Sequence, residues 1–252
     1  MSDSTELYEE HPEAFLPILE MWAESADEQV DSMLALLEET YDYSPVSVLD
    51  VGCGIGRHVI PFAERGLEAH GLDISPEYVA RAEQRASEAG VADETAFFRH
   101  DMRDIDELTR DYELLVCVGT SFGYFDEMTN AALLETFHDR LAPGGVLIVE
   151  VNNKEGELAG WNDAGLERPG KDALHAVEYD YDPLTSRLHV LNVAIDEETV
   201  VGKGEVDVRL YTPIELRQLF ETAGFSDVRL AATFDGESLT RESPRLLAMG
   251  RR

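Results

Sequence analysis

Short apolar runs recur through the middle of the chain, and most are followed by a stretch in which apolar residues have helical spacing. The runs fall at residues 46–51, 67–72, 96–99, 112–118 and 146–151. One helical stretch begins with Ser75 and Pro76, a typical helix start with serine as N-cap and proline at the first helical position. Short apolar strands alternating with helices are typical of a parallel sheet covered on both faces. The pattern therefore predicts an α/β fold.

The segments before and after this alternation have different patterns. Leu34, Leu37 and Tyr41 have helical spacing and predict a helical N-terminal segment. After a Gly-rich polar stretch at 153–171, apolar and polar residues alternate as they do in antiparallel strands. We predict four parts: a helical lid or flank at 1–45, an α/β core at 46–152, an antiparallel β insertion at 153–210, which covers substrate or pairs subunits, and at 211–252 a helix and strands that complete the core sheet.

The charge balance is strongly acidic, with 52 Asp and Glu residues against 20 Lys and Arg residues and a formal net charge of -32. Only three of the basic residues are lysine: Lys154, Lys171 and Lys203. Such a charge destabilises the compact state by self-repulsion, which molar salt screens because it shortens the Debye length to about 3 Å. The composition predicts a protein of a high-salt, halophilic cytoplasm, with an acidic mesophilic protein as the alternative.

Several classes of protein are disfavoured by the same composition. No basic stripe that would bind nucleic acid is visible, and the two cysteines, Cys53 and Cys117, are too few for a disulfide framework. The histidines have no metal-ligand spacing, so we expect no metal site. No apolar run reaches the length of about 18 residues that a membrane span needs, and the N-terminus lacks the features of a signal peptide. We expect a cytoplasmic protein without a membrane or nucleic-acid partner.

The segment VLDVGCGIGRH at residues 48–58 carries the clearest chemical signal. Asp50 ends a strand, and Gly52, Gly54 and Gly56 then let the backbone turn sharply and approach a ligand at the start of a helix. Arg57 stands where a dinucleotide-binding fingerprint has its third glycine. At the end of the second strand, Asp73 offers a carboxylate to the two hydroxyls of a ribose, although NAD enzymes share that feature.

This combination resembles the first motif of the class I S-adenosylmethionine-dependent methyltransferases. The segments LAPGG at 141–145 and YTPIELRQLFETAGF at 211–225 also resemble this family, so the likeness extends over about residues 46–248. It implies a Rossmann-like, doubly wound, mostly parallel seven-stranded sheet with an antiparallel C-terminal hairpin. The strands after residue 172 resemble the β insertion of members that act on small molecules.

The resemblance implies S-adenosylmethionine as the methyl donor and S-adenosylhomocysteine as the product. Asp73 is expected at the ribose, Asp101 and Met102 at the adenine, and the end of the fourth strand at the methionine part. The complete set of expected cofactor-binding residues is Asp50, Gly52, Gly54, Gly56, Arg57, Asp73, Ile74, Asp101, Met102, Val118 and Gly119.

The acceptor is expected to be a small molecule, methylated on nitrogen rather than oxygen by in-line displacement. No catalytic base can be assigned, because the methyl donor is already activated and the main task is alignment. Expected acceptor-pocket residues are Tyr8, Phe122, Tyr124, Asn152, Asn153, Arg209 and Tyr211. Two alternatives stay open: an NAD(P)-dependent oxidoreductase, and a non-catalytic S-adenosylmethionine-binding regulatory subunit. If the insertion pairs two subunits, we expect a homodimer.

Overall fold

The computed structural model describes residues 6–169, 173–196 and 199–252. It begins with helices, and from Ser47 to Asn152 strands and helices alternate. The α-helices are α1 (Glu6–Glu10), α2 (Leu16–Ala23), α3 (Ala26–Tyr41), α4 (Val59–Glu64), α5 (Pro76–Ala89), α6 (Glu127–Arg140), α7 (Lys154–Ala159) and α8 (Pro213–Thr222). The strands are β1 (Ser47–Val51), β2 (Glu68–Asp73), β3 (Thr95–Arg99), β4 (Tyr112–Cys117), β5 (Leu141–Asn152), β6 (Ala164–Glu167), β7 (Ala173–Asp182), β8 (Arg187–Asp196), β9 (Thr199–Arg209), β10 (Ser226–Ala231) and β11 (Arg245–Arg251). Two 3₁₀ segments, Pro12–Ala14 and Met102–Glu107, complete the set.

Seven strands form the main sheet, in the order β10-β11-β5-β4-β1-β2-β3. Strands β1 to β5 are parallel, and β11 runs antiparallel to both β5 and β10. The predicted Rossmann-like sheet with an antiparallel C-terminal hairpin is confirmed. From β1 the chain moves outward to β3 and then returns to β4 on the other side of β1. Ligands of such sheets bind at this switch point, at the carboxyl ends of the strands.

Both faces of the main sheet are covered by helices. Val48 of β1 packs in one apolar cluster with Leu37 of α3 and Phe62 of α4. The next residue, Leu49, faces the opposite side and packs in a second cluster with side chains of α6 and α8. Because successive strand residues point to opposite faces, the continuous apolar run of β1 serves both layers. This packing fixes the carboxyl edge of the sheet.

The second sheet is antiparallel, with the order β6-β7-β8-β9. Strands β7 to β9 agree with the alternating pattern, and residues 170–172 and 197–198 lie outside the described residues. The polar stretch before them also contains α7 and β6, which the sequence pattern did not predict. Both depend on tertiary contacts: Nδ2 of Asn153, at the start of α7, donates to the carbonyl of Ser243, and β6 pairs with β7.

The N-terminal segment connects the second sheet with the main one. A Cβ at Gly202 of β9 would lie 2.5 Å from the backbone nitrogen of Ala14, and one at Gly204 would overlap the side chain of Leu7. These glycines therefore let α1 and the first 3₁₀ segment pack closely on β9. On the other side, the hydroxyl of Tyr78 in α5 donates to the carbonyl of Pro12 at 2.7 Å. The predicted helical segment is thus held between the two sheets.

The charge of -32 leads to a prediction on stability. Raising KCl from 0.05 M to 2 M should raise the thermal midpoint by roughly 10 °C or more, because salt screens the repulsion among surface carboxylates. Circular dichroism melts at constant pH measure this effect. Sucrose, which favours burial without screening charge, is the control for solute exclusion. A midpoint independent of KCl below 0.5 M would contradict an adaptation to salt.

Candidate functional site

The glycine loop after β1 turns back against the end of β2. The backbone N–H groups of Gly52 and Cys53 both donate to the carbonyl of Leu72, at 2.8 and 3.0 Å. Gly52 has a φ of +77°, and a Cβ there would lie 2.7 Å from Oγ of Ser121, in the loop after β4. Only glycine satisfies both the backbone conformation and the close approach. The loop is therefore packed tightly at the switch point between β1 and β4.

Asp73, at the end of β2, holds this loop. Its Oδ2 accepts the N–H of Gly54 at 2.8 Å, and its Oδ1 accepts the N–H of Ser75 at 2.9 Å. The carboxyl group is buried, and burial raises its pKa to about 6 although these backbone hydrogen bonds oppose the rise. Each carboxylate oxygen has a second lone pair, so the group can still accept two hydroxyl donors.

A cavity of about 770 Å³, its open mouth included, lies above the loop and Asp73. Nine of the expected cofactor-binding residues line it: Gly52, Gly54, Arg57, Asp73, Ile74, Asp101, Met102, Val118 and Gly119. The structure thus brings together residues from the ends of β1, β2, β3 and β4. The carboxylate of Asp101 is paired with the guanidinium of Arg103, and it also accepts the Arg103 N–H at 2.8 Å.

Two of the expected residues lie behind the cavity rather than on its wall. Asp50 is 2% exposed, with Oδ2 3.8 Å from Nδ1 of the buried His58, and burial raises its pKa to about 7. A Cβ at Gly56 would lie 3.1 Å from Cβ of Ala82 and from the ring of Phe97. Gly56 therefore permits close packing of the loop, α5 and β3, and Asp50 supports the loop from below.

Arg57 is a buried cation on the cavity wall, with 9% of its surface exposed. Its Nη1 donates to Oε1 of Gln29 at 3.0 Å, and its guanidinium lies 5.6 Å from the ring centre of Trp22. It forms no ion pair with any residue that the structure describes. Burial lowers its pKa, while Asp50 and Glu150 oppose that effect. A buried guanidinium without an ion-pair partner can bind the carboxylate of a ligand.

A second cavity, of about 900 Å³ with its open mouth included, adjoins the first. It lies between the carboxyl edge of the main sheet, the N-terminal segment and one face of the second sheet. Both cavities are lined by Tyr8, Phe15, Trp22, Gly119 and Tyr124. The hydroxyls of Tyr8 and Tyr124 share a hydrogen bond of 2.7 Å across this common wall.

The expected acceptor-pocket residues divide into two groups. Tyr8, Tyr124 and Asn152 line the second cavity. The structure places the others away from both cavities: Phe122, Asn153, Arg209 and Tyr211. This corrects the sequence interpretation, and the reasons are physical.

Each of these four side chains is buried and held by contacts with other residues of the protein. Phe122 and Tyr211 are buried against each other with ring centres 5.6 Å apart. Arg209 is 8% exposed and paired with Glu127 and Glu215. The amide of Asn153 is bonded to Ser243, as described above.

Sequence reasoning missed two of the five residues in the wall that the two cavities share, Phe15 and Trp22. Phe15 and Trp22 lie seven positions apart in the N-terminal segment, and their rings meet edge to face at 5.5 Å. Two large aromatic residues in an otherwise acidic helical segment were the available signal. Among the described residues, no group of three or more His, Cys, Asp or Glu side chains could hold a metal ion. No helix of that part of the chain is long and apolar enough to cross a membrane.

Residues 48–145 match the family model described as "Methyltransferase domain". The dTDP-3-amino-3,4,6-trideoxy-alpha-D-glucopyranose N,N-dimethyltransferase of Streptomyces venezuelae is 29% identical over 74% of this chain and 74% of its own.

Two solved structures have the same fold. The CcbJ methyltransferase of Streptomyces caelestis has a TM-score of 0.77 and 21% identity, with 88% of this chain and 89% of that chain covered. CalS10 of Micromonospora echinaspora, an amino pentose methyltransferase solved with its cofactor bound, has a TM-score of 0.63 and 21% identity, with 92% of each chain covered.

The family match decides between the alternatives that the sequence left open. The cofactor is S-adenosylmethionine rather than a nicotinamide, and the protein is an enzyme rather than a non-catalytic binding subunit. The mostly parallel sheet with its antiparallel β10–β11 hairpin and the glycine loop at its switch point agree with this assignment. Residues 48–145 form a methyltransferase domain, and the chain has the fold of S-adenosylmethionine-dependent methyltransferases.

Proposed function

We propose that this enzyme methylates an amine nitrogen of a small molecule bound in the second cavity. The observation that carries the proposal is the junction of the two cavities at Tyr8, Phe15, Trp22, Gly119 and Tyr124. A methyl donor in the first cavity and an acceptor in the second are then separated only by their common wall.

The residues of the first cavity suit the three parts of the donor. The free lone pairs of Asp73 suit the ribose hydroxyls, and the thioether of Met102 suits the adenine ring. Arg57, without an ion-pair partner among the described residues, suits the methionine carboxylate. Gly119 lies close to Arg57, since a Cβ there would be 2.9 Å from Nη2. Gly119 also belongs to the common wall, so these residues would hold the methionine part of the donor beside that wall.

S-adenosylmethionine supplies an activated methyl group, and the chain's own residues have to align the acceptor and exclude water. In-line displacement requires the acceptor nitrogen on the side of the methyl carbon opposite the sulfur. The rings of Tyr8, Phe15, Trp22 and Tyr124 exclude water from that region, and the hydrogen bond between Tyr8 and Tyr124 fixes two of them. A cationic sulfur beside aromatic faces is also favoured by cation–π attraction.

The charges of the second cavity favour an amine over an anionic acceptor. The wall contains Glu157 and Glu167, and its arginine, Arg245, is already paired with Glu150. Glu157 forms no ion pair or side-chain hydrogen bond with the described residues, and burial raises the pKa of its carboxyl group. A ligand ammonium would supply the missing partner. The name of the Streptomyces venezuelae relative, an amino sugar N,N-dimethyltransferase, also supports a nitrogen acceptor.

The test is transfer of a radiolabelled methyl group from S-adenosylmethionine to matched pairs of compounds in concentrated KCl. Each pair contains an amine and its hydroxyl counterpart, such as 3-amino-3-deoxyglucose and glucose. Each sugar is tested both free and attached to a nucleoside diphosphate. We expect labelled product from at least one amine and none from its hydroxyl partner. Transfer only to the hydroxyl members would contradict nitrogen as the acceptor atom.

Arg57→Met is expected to weaken S-adenosylmethionine binding by roughly 10- to 100-fold, because a charge-assisted hydrogen bond to the methionine carboxylate is lost. Calorimetry with decarboxylated S-adenosylmethionine provides the control. The native protein should bind this analogue more weakly than the normal donor, and the variant should bind both alike. Equal discrimination by the two proteins would show that Arg57 does not hold the carboxylate.

A further inference from the structure

His175, on β7, stands out in the second cavity because a polar atom of its ring has no partner. The side chain is 3% exposed and lines the cavity, with its ring against that of Phe15 at 5.8 Å. Phe15 belongs to the wall shared with the donor cavity. Nε2 of His175 is buried and has no hydrogen-bond partner among the described residues. A buried acceptor or donor left unpaired is unfavourable, so its partner is expected to come from outside the chain.

The hydrogen bonds around the ring assign its tautomer. His175 shares a side-chain hydrogen bond with Asn192, on the neighbouring strand β8. Nε2 takes no part in any such bond, so Nδ1 makes this contact. Nδ2 of Asn192 donates one of its two hydrogens to the carbonyl of Val190. The bond to His175 raises the pKa of the histidine, as an accepting oxygen does and a donating N–H does not, so the Asn192 amide oxygen accepts from Nδ1–H. In a neutral imidazole with a proton on Nδ1, Nε2 carries a lone pair and acts as a hydrogen-bond acceptor.

The ring is neutral near pH 7, because burial lowers its pKa below the usual value. The other ionisable groups on the walls of this cavity are Tyr8, Tyr124, Glu157, Glu167, Tyr179 and Arg245. Glu167 lies opposite His175 in the β6–β7 register but is exposed, and Arg245 is paired with Glu150. Neither of them forms an ion pair with His175 that would charge the ring.

We infer that Nε2 of His175 accepts a hydrogen bond from an N–H or O–H group of the methyl acceptor and so orients it against the wall shared with the donor. The inference rests on the proposed function, since it concerns the acceptor of that reaction. It limits the acceptor to molecules that carry a second polar hydrogen, apart from the attacking nitrogen, at the distance between His175 and the common wall. His175 is thus an acceptor-binding residue.

Kinetics with 3-amino-3-deoxyglucose as acceptor are the first test. His175→Phe removes the lone pair and should lower kcat/KM roughly tenfold, mainly through KM, with unchanged affinity for S-adenosylhomocysteine. His175→Gln keeps an acceptor oxygen and should restore part of the loss. The matched control is His189→Phe, on the opposite face of β8, where the histidine lies 3.5 Å from Glu205. Equal kcat/KM for His175→Phe and the native protein would overturn the inference.

Nitrogen NMR of protein labelled at histidine is the second test, with the His175 signals identified by their loss in His175→Phe. We expect an unprotonated Nε2 that shifts when the amine is added to the complex with S-adenosylhomocysteine. A protonated Nε2 overturns the inference. If no amine is methylated, the proposed function fails. The role of His175 is then tested by adding the same amines and their hydroxyl counterparts to the labelled protein. If the Nε2 signal shifts with none of them, the inference about His175 is overturned.

Discussion

Asp73→Ala should weaken S-adenosylmethionine binding by a factor on the order of 100 or more. The carboxylate accepts the N–H groups of Gly54 and Ser75 and has two lone pairs left for the ribose hydroxyls. Hydrogen bonds to a charged group contribute about 1.5–3 kcal/mol each, so the loss of two accounts for that factor. The variant also leaves two loop N–H groups unpaired. Calorimetry in concentrated KCl measures the change.

Two further variants test the reason for this loss. Asp73→Asn keeps one acceptor oxygen and should lie between alanine and the native protein. Glu77→Ala removes a partly exposed carboxylate, paired with Arg81, from the first turn of α5 and should leave binding unchanged. Circular dichroism checks that each variant is folded. If Asp73→Ala binds the donor as the native protein does, the ribose does not lie at this carboxylate.

The pKa of Asp73 gives the same site a pH dependence. Burial raises the pKa to about 6, from 3.8 for an exposed carboxyl group. The native state therefore holds this proton more firmly than the unfolded chain, so Asp73 itself favours folding as pH falls from above 6 toward 4. Donor binding should change in the opposite direction, because the protonated carboxyl group accepts fewer hydrogen bonds. Weakening of binding below about pH 6, absent in Asp73→Asn, is the expected result.

Arg245→Met should lower the free energy of unfolding by about 3 kcal/mol. Glu150, on β5, is 13% exposed, and both of its oxygens are bonded to Arg245 of β11. It also accepts the N–H of Gly119 at 2.8 Å. Without the arginine, a largely buried carboxylate is left without its cation. Urea unfolding at constant KCl measures the loss.

A double variant separates the ion pair from simple packing. Arg245→Met with Glu150→Gln removes both charges while the Gln oxygen can still accept from Gly119. Its free energy of unfolding should exceed that of Arg245→Met alone. Gly119 lines both cavities, so Arg245→Met should also weaken donor binding. A double variant no more stable than the single one would locate the effect in lost packing.

The wall of the first cavity could be predicted because its determinants are local in the sequence. The conformation of the loop depends on Gly52 and Gly54, and Asp73 lies at the end of the neighbouring strand. Both positions follow from the order of strand, loop and helix along the chain. The wall of the second cavity could not be predicted, because it is formed by segments that are far apart in the sequence. Arg209 was expected in the pocket, but its partner Glu127 lies 82 positions away and fixes it outside. His175 was missed because its significance depends on Asn192 of another strand.

The polar stretch after β5 shows the same limit for the fold. Residues 164–167, with the sequence AGLE, have no strand pattern of their own and become β6 only because the edge of β7 is available. Helix α7 has six residues, too few to be stable alone, and depends on its contact with Ser243. The sequence of α7 alone cannot predict this helix, because the partner of Asn153 at its start, Ser243, lies 90 positions away.

Phe15 and Trp22 form part of the wall of both cavities, and this links the occupancy of one to that of the other. A ligand in either cavity restricts the positions that the two rings can take, and so changes the free energy at which the other cavity is filled. Linked equilibria are reciprocal: if the methyl donor strengthens acceptor binding by some factor, the acceptor strengthens donor binding by the same factor. The shared wall therefore predicts that the affinity for one reactant changes when the other is bound.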